Sequence, residues 1–154
     1  MTRKTERSSR ARTLSRRLAM QALYQWQLTG QSLAELRNQF AADEGYAEVD
    51  AEYFAAILRG TVDGAGELDT VLAALIDRPV AQLDPIEHAV LLIGLFELGQ
   101  CPETPFRVVI NEGVELAKKF GATDGHKFVN AVLDRAARNL RAAEQAATPK
   151  TARR

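Results

Sequence analysis

The chain has 154 residues, of which 46 % are apolar and 26 % are charged, with equal numbers of basic and acidic side chains. This length allows one domain with a buried core, and the single cysteine, Cys101, excludes an internal disulfide and a cysteine-based metal cluster. No apolar run reaches the ~18–20 residues of a membrane-spanning helix, and no apolar segment follows the basic N-terminus as in a secretory signal. We therefore expect a cytoplasmic protein.

The charged residues, whose net charge is zero, are distributed unevenly along the chain. Residues 1–17 carry seven basic residues against one acidic residue, residues 31–105 carry three against fourteen, and residues 106–142 carry seven against four. Such asymmetry is typical of a chain with two kinds of partner. The alternative is an ordinary surface with a solvated basic tail.

The N-terminal third predicts a basic arm followed by two helices. Residues 1–11 lack large apolar side chains, so we expect them to be disordered until a partner binds. From Leu14 the apolar residues recur at helical spacing, and Gly30 ends this first helix. A second helix follows Ser32, with Glu35 in the position that completes a capping box.

The middle of the chain predicts the helix at the centre of the fold. A helical stretch begins near Glu48 or Val49, and its glycines indicate either one kinked helix or two helices that meet near Gly64. Asp84 followed by Pro85 is a specific helix start. The helix behind it is apolar nearly all round, which is typical of a helix in the middle of a bundle.

Two more helices complete the pattern. One extends from Pro105 to Gly121, and the last starts after Thr123 or Asp124 and continues to Leu140. Residues 143–154 are expected to fray. The sequence therefore predicts an all-α fold, a compact bundle of about seven helices, with residues 12–142 as a single helical domain.

The side chains that carry chemistry do not suggest catalysis. His88 and His126 lie far apart in sequence, and neither has a cysteine or carboxylate at a metal-ligand spacing. The sequence has no glycine-rich phosphate loop and no nucleophile motif. We therefore expect a protein that is not an enzyme and requires no cofactor or metal.

Two segments suit nucleic acid. Arg12 and Arg16 share one helix face with Arg17 beside them, and arginine contacts phosphate through a planar, bidentate fork. The second segment joins the lysines at 118–119 to the His-Lys-Phe run at 126–128, where an aromatic ring next to a lysine suits a stacked base and a phosphate. The alternatives are a core position for Phe128 and a solvated face for the lysines.

The chain resembles the NusB family of transcription antitermination factors in three segments that occur in the family's order. They are SRRLAMQALYQWQLTG at 15–30, LDPIEHAVLLIGLFELG at 83–99 and TPFRVVINEGVELAKKFGATDGHKFVNAVLD at 104–134. The resemblance implies a seven-helix fold of two packed subdomains. It also implies binding of boxA RNA in nascent ribosomal transcripts, together with the small-subunit ribosomal protein NusE, and action on elongating RNA polymerase.

Carried over position by position, the resemblance implies a set of site residues. The RNA-binding residues would be Arg12, Arg16, Arg17, Asp124, Lys127 and Phe128. Arg17 stands where relatives often carry an acidic residue. The residue facing NusE would be Glu87, which lies in the acidic part of the chain, as expected for contact with a basic ribosomal protein.

Three other readings remain open at this stage. The same fold occurs as an RNA-binding domain appended to RNA methyltransferases, although no cofactor-binding α/β pattern is present in this sequence. A second alternative is that the chain is a helical protein–protein adaptor with a non-specific basic arm. Some relatives pair as homodimers that mask the RNA surface, and the sequence leaves the oligomeric state open.

Overall fold

The computed structural model describes residues 3–147, and these residues form helices and turns without any strand. The helices are α1 Arg3–Thr29, α2 Leu33–Ala41, α3 Ala51–Asp63, α4 Ala65–Ala73, α5 Pro85–Gln100, α6 Phe106–Phe120, α7 Gly125–Leu140 and α8 Ala142–Ala147. Two 3₁₀ turns lie at Glu44–Glu48 and Val80–Gln82. The all-α class predicted from the sequence is confirmed.

The helix starts follow the capping chemistry of the sequence. The Ser32 hydroxyl accepts the Glu35 N–H at 3.1 Å, and the Glu35 carboxylate accepts the Ser32 N–H at 3.1 Å, so the predicted capping box is confirmed. Asp84 caps α5 ahead of Pro85, as predicted. The start of α3 lies slightly later than predicted, because residues 44–48 form a 3₁₀ turn and Asp50 is the cap.

Glycine ends two helices where the sequence placed the breaks. Gly30 has a φ of 69°, a left-handed conformation that glycine adopts without the penalty of a Cβ, and it ends α1. Gly64 separates α3 from α4, so the helical stretch before Pro79 is two helices and not one kinked helix.

Helix α5 lies at the centre of the fold, as its apolar sequence predicted. Ten of its sixteen residues are buried, and it contacts α1, α3, α4, α6 and α7. Helices α1, α2 and α3 pack on one another on one side of it, and α6 and α7 pack together on the other. Burial on all sides explains why no polar face is visible in its sequence.

Arg141, at the end of α7, holds the connection between α5 and α6. Its buried guanidinium donates at 2.7–3.1 Å to four backbone carbonyls of this connection, which belong to Glu97, Leu98, Cys101 and Thr104. A cation at the carboxyl end of α5 also complements the helix dipole. The loop that precedes α6 is therefore fixed by a residue from the far end of the chain.

The ends of the described chain differ from the sequence expectation. Residues 3–11, predicted to be disordered, form the first turns of α1. These turns extend a helix already packed against the core, so they require no new nucleation, and arginine, lysine, glutamate and alanine favour helix. Helix α8 covers part of the tail expected to fray, and residues 148–154 lie outside the described residues.

Across residues 3–147, none of the helices has both the length and the apolar character required to cross a membrane.

Candidate nucleic-acid interface

The first turns of α1 present a basic, solvent-exposed surface. Its exposed cations are Arg3, Lys4, Arg7 and Arg10. Arg12 follows with 36 % of its side chain exposed, its guanidinium 4.3 Å from the centroid of the Tyr53 ring and its Nε 3.8 Å from the Asp50 carboxylate. Arg12 is therefore held by the protein and remains partly accessible to a ligand.

Arg16 is buried, in contrast to the prediction that it contacts RNA. Only 4 % of its side chain is exposed. Its Nε and Nη2 donate to the two carboxylate oxygens of Glu97 at 2.8 and 2.9 Å, and its Nη1 donates to Glu112 at 2.9 Å. The Tyr53 hydroxyl donates to the same Glu97 carboxylate. Two carboxylates from α5 and α6 thus neutralise the guanidinium, and burial keeps it away from a phosphate on the surface.

The pKa shifts in this buried cluster agree with its geometry. Burial alone lowers the pKa of Arg16, but the hydrogen bonds and the negative charge of Glu97 outweigh it, so the net shift is upward. Burial raises the pKa of Tyr53, and the charge of Glu97 raises it further. At neutral pH the cluster therefore contains a charged Arg16 and a neutral tyrosine that donates its proton.

Arg17 lies on a different side of α1 and is exposed. Its guanidinium is 5.0 Å from the centroid of the Phe120 ring, at the carboxyl end of α6. This cation–π contact brings α1 beside the turn between α6 and α7. The structure therefore places Arg17, and not Arg16, next to the second basic segment.

The turn after α6 gathers three of the predicted RNA-binding residues. Asp124 has a φ of 62° and precedes α7, and the Lys127 ammonium lies 3.4 Å from its carboxylate. Phe128 is half-buried, and the guanidinium of Arg78 lies 4.5 Å from the centroid of its ring. Sequence reasoning did not identify Arg78, because it lies fifty positions before Phe128 in the loop after α4.

Glu87 supports this turn from inside the protein, in contrast to the prediction that it faces a partner. It is only 7 % exposed, and its carboxylate accepts the Ala122 N–H at 3.1 Å. A Cβ on Gly125 would lie 2.3 Å from the same carboxylate, so glycine allows this close approach. The negative charge lies at the amino end of α7, where the helix dipole favours it. Glu87 is therefore a structural residue of the α6–α7 turn.

The chemistry of this surface is that of binding. It combines exposed cations on α1 and at the α6–α7 turn with a partly open aromatic ring, the side chains that proteins use for phosphates and bases. Among the described residues, no group of three or more histidine, cysteine, aspartate or glutamate side chains is arranged to hold a metal ion.

Comparison with known proteins places the chain in a family. The model of the NusB family matches residues 13–138. The transcription antitermination protein NusB of Hahella chejuensis is 49 % identical over 136 residues, which cover 88 % of this chain and 91 % of that protein. The corresponding protein of Marinomonas sp. is 48 % identical over 149 residues, which cover 94 % of this chain and 86 % of that protein.

A solved structure gives the same result for the fold. A crystal structure of the antitermination factors NusB and NusE in complex with dsRNA matches with a TM-score of 0.73 and 28 % identity, over 82 % of this chain and 96 % of that chain. The NusB-like fold predicted from the sequence is therefore confirmed. Because a family model covers most of the chain and two NusB proteins share almost half of its residues, the protein belongs to the NusB family.

Proposed function

We propose that this protein is a transcription antitermination factor that binds boxA-type RNA of nascent ribosomal transcripts together with NusE. The complex acts on elongating RNA polymerase. The relatives that support this proposal are antitermination proteins, and one related structure holds NusB with NusE and RNA. The protein works by binding and not by catalysis, and it acts in the cytoplasm, where nascent transcripts are made.

The observation that carries the proposal is the position of Arg17 beside Phe120, at the end of α6 that leads into the turn before Lys127 and Phe128. Arg17 reaches this turn through Phe120, and Lys127 and Phe128 follow on the next helix. A single RNA strand supplies both phosphates for the cations and bases for the ring. We therefore take Arg12, Arg17, Asp124, Lys127 and Phe128 as the RNA-binding set, without the buried Arg16.

The NusE-binding surface is proposed on charge. The segment from 31 to 105 is strongly acidic, and several of its carboxylates are exposed, which suits a basic ribosomal protein. An exposed apolar pair on α1, Tyr24 and Leu28, lies on the same helix as Gln27, whose side chain donates to the Pro85 carbonyl beside the exposed Asp84. We place the centre of this interface at the exposed apolar pair on α1. Glu87 is excluded from it by burial.

The test is a titration of the protein into labelled boxA-type RNA and into a scrambled RNA of the same length. Each titration is made with and without NusE, at two salt concentrations. The proposal predicts preference for the boxA sequence and tighter binding when NusE is present. Binding should weaken with salt, because each neutralised phosphate releases counterions.

Variants locate the surface. Arg17→Gln and Lys127→Gln should weaken RNA binding, whereas Arg59→Gln removes one exposed positive charge from α3 and should not. Equal affinity for both RNAs, unaffected by NusE, would point instead to a helical adaptor with a non-specific basic arm.

A further inference from the structure

An open pocket of about 460 Å³ lies between the loop that follows α4 and helix α7. Leu75, Ile76 and Arg78 line it from the loop, and Phe128 and Arg135 line it from the helix. Its volume is within the range of sites that hold small planar molecules. The pocket adjoins the proposed RNA-binding set, because Phe128 belongs to both.

Arg78 covers one face of the Phe128 ring. Its guanidinium lies 4.5 Å from the ring centroid, which is a cation–π distance. The other side of the guanidinium is open to solvent, since 49 % of the Arg78 side chain is exposed. An arginine guanidinium is itself a flat surface on which RNA bases stack. The outermost stacking surface at this place is therefore Arg78, and not the ring beneath it.

The backbone and side chain of Arg78 are both restrained. Its Nε lies 3.8 Å from the Asp77 carboxylate. Pro79 follows it, and a residue before proline is restricted to extended backbone conformations. Arg135 donates to the Leu75 carbonyl at 2.6 Å, which ties the loop to α7. The loop and the helix are therefore held together before a ligand arrives, and this lowers the cost of ordering them on binding.

The charges around the pocket suit a base that belongs to a polyanion. Arg78 and Arg135 are two cations on the pocket wall, and Asp77 is the opposing carboxylate. Lys127 adds a further positive charge one position before Phe128, although Asp124 faces it at 3.4 Å. A base stacked on a guanidinium gains a cation–π contact, and the lysine is placed to meet a neighbouring phosphate of the same strand.

We propose that one base of the RNA stacks on the side of the Arg78 guanidinium that faces away from Phe128. Arg78 is then a further RNA-binding residue, and the stack runs from the ring through the guanidinium to the base. The proposal rests on the proposed RNA-binding function and deepens it. Two other roles are possible outcomes of the test: a cover that leaves the ring when RNA binds, or a contact to phosphate alone.

The first experiment measures the affinity of full-length variants for labelled boxA-type RNA in the presence of NusE. Arg78→Ala removes the plane and the charge, whereas Arg78→Lys keeps the charge and removes the plane. Arg59 of α3 is the matched control, because it is exposed and its Nε also lies 3.8 Å from an aspartate carboxylate. Urea unfolding of each variant confirms that the compared proteins are fully folded.

We expect Arg78→Ala to lose about tenfold in affinity and Arg78→Lys to lose about fivefold, because base stacking on a flat side chain is lost in both. Arg59→Ala and Arg59→Lys should each change affinity by less than about twofold. Unchanged or tighter binding of Arg78→Ala would overturn the proposal, since it would make Arg78 a bystander or a cover of the ring. Wild-type affinity of Arg78→Lys would also overturn it, because charge alone would then be sufficient.

The second experiment locates the base with a series of RNAs that each carry one abasic position. At the stacked position, loss of the base should weaken binding to the wild type and have almost no further effect on Arg78→Ala, because the contact is already absent. Such coupling at one position identifies the base. Additive losses at every position would overturn the proposal, because they would indicate that Arg78 contacts the RNA backbone.

Failure of this proposal is distinguishable from failure of the proposed function. If the wild-type protein shows neither preference for boxA nor an effect of NusE, the proposed function fails. If both properties hold and Arg78→Ala binds like the wild type, only the stacking proposal fails.

Discussion

Replacement of Arg16 by alanine should damage the fold and not the RNA surface. Arg16 and Glu97 are 4 % and 1 % exposed, and two hydrogen bonds of 2.8 and 2.9 Å join them. Without the guanidinium, the Glu97 carboxylate stays buried with no counter-charge. Breaking such a pair on one side costs about 3–5 kcal/mol, a large part of the ~5–15 kcal/mol that stabilises a typical domain. For a chain of this length that loss corresponds to a fall in Tm of roughly 6–20 °C.

The assay is urea unfolding followed by far-UV circular dichroism, with RNA affinity measured in parallel below the unfolding transition. The double variant Arg16→Met, Glu97→Leu removes both charges and should recover much of the lost stability. RNA affinity of the folded Arg16→Ala protein should stay near that of the wild type. Unchanged stability combined with weakened RNA binding would refute the reasoning and return Arg16 to the RNA surface.

Three further predictions concern the scaffold. Arg141→Met removes the donor to four backbone carbonyls and should cost at least about 3 kcal/mol in urea unfolding, whereas Arg138→Met on the exposed face of α7 should change stability by less than about 0.5 kcal/mol. Gly60→Ala would place a Cβ 2.1 Å from the Phe96 ring of α5 and should lower the free energy of unfolding by about 1–3 kcal/mol. Gly66→Ala, whose Cβ meets nothing within 4 Å, should be neutral or stabilising. A destabilised Gly66→Ala would contradict the packing argument. Hydrogen bonds with Ser32, first from its backbone N–H and then from its side chain, lower the pKa of Glu35 in the folded state. The contribution of Glu35 to stability is therefore present above its ordinary pKa and is lost as the pH falls through the lowered value. Glu35→Ala should therefore be less stable than the wild type at pH 7 and equal to it in acid, and an equal deficit at both pH values would exclude the capping interaction as its cause.

Local chemistry made most of the helices predictable. The capping box at Ser32, the Asp84–Pro85 start and the break at Gly64 each depend on residues a few positions apart. The central place of α5 was equally visible, because burial on all sides leaves a helix without a polar face. These features need no knowledge of which helices meet in space.

The differences between the sequence expectation and the structure concern charged residues whose partners are distant in sequence. Arg16 appears as a phosphate ligand in a basic segment, because its carboxylate partners lie 81 and 96 residues away. Glu87 appears as an interface acid, because the backbone N–H that it accepts lies 35 residues away. A one-dimensional charge pattern does not distinguish a buried ion pair from an exposed cation, and the decision between them depends on tertiary packing.

For the basic arm, sequence composition alone was insufficient for a different reason. Its composition suits both a disordered segment and the end of a long helix, and propensity alone does not separate the two. The deciding fact is that α1 is anchored further along, where Leu18 and Leu23 are buried, so the helix can continue outwards from an ordered part.

The arginine cluster also sets an order of events while the chain is being synthesised. Arg16 emerges from the ribosome long before Glu112, and at about 5–20 residues per second the interval is roughly 5–20 s. Until α5 and α6 are present, burying Arg16 would strand a charge, so the guanidinium stays hydrated and α1 can pack only against α2 and α3. The helix that is made first is therefore expected to join the core among the last, and a nascent chain stalled before residue 97 should leave α1 open to proteases or chaperones.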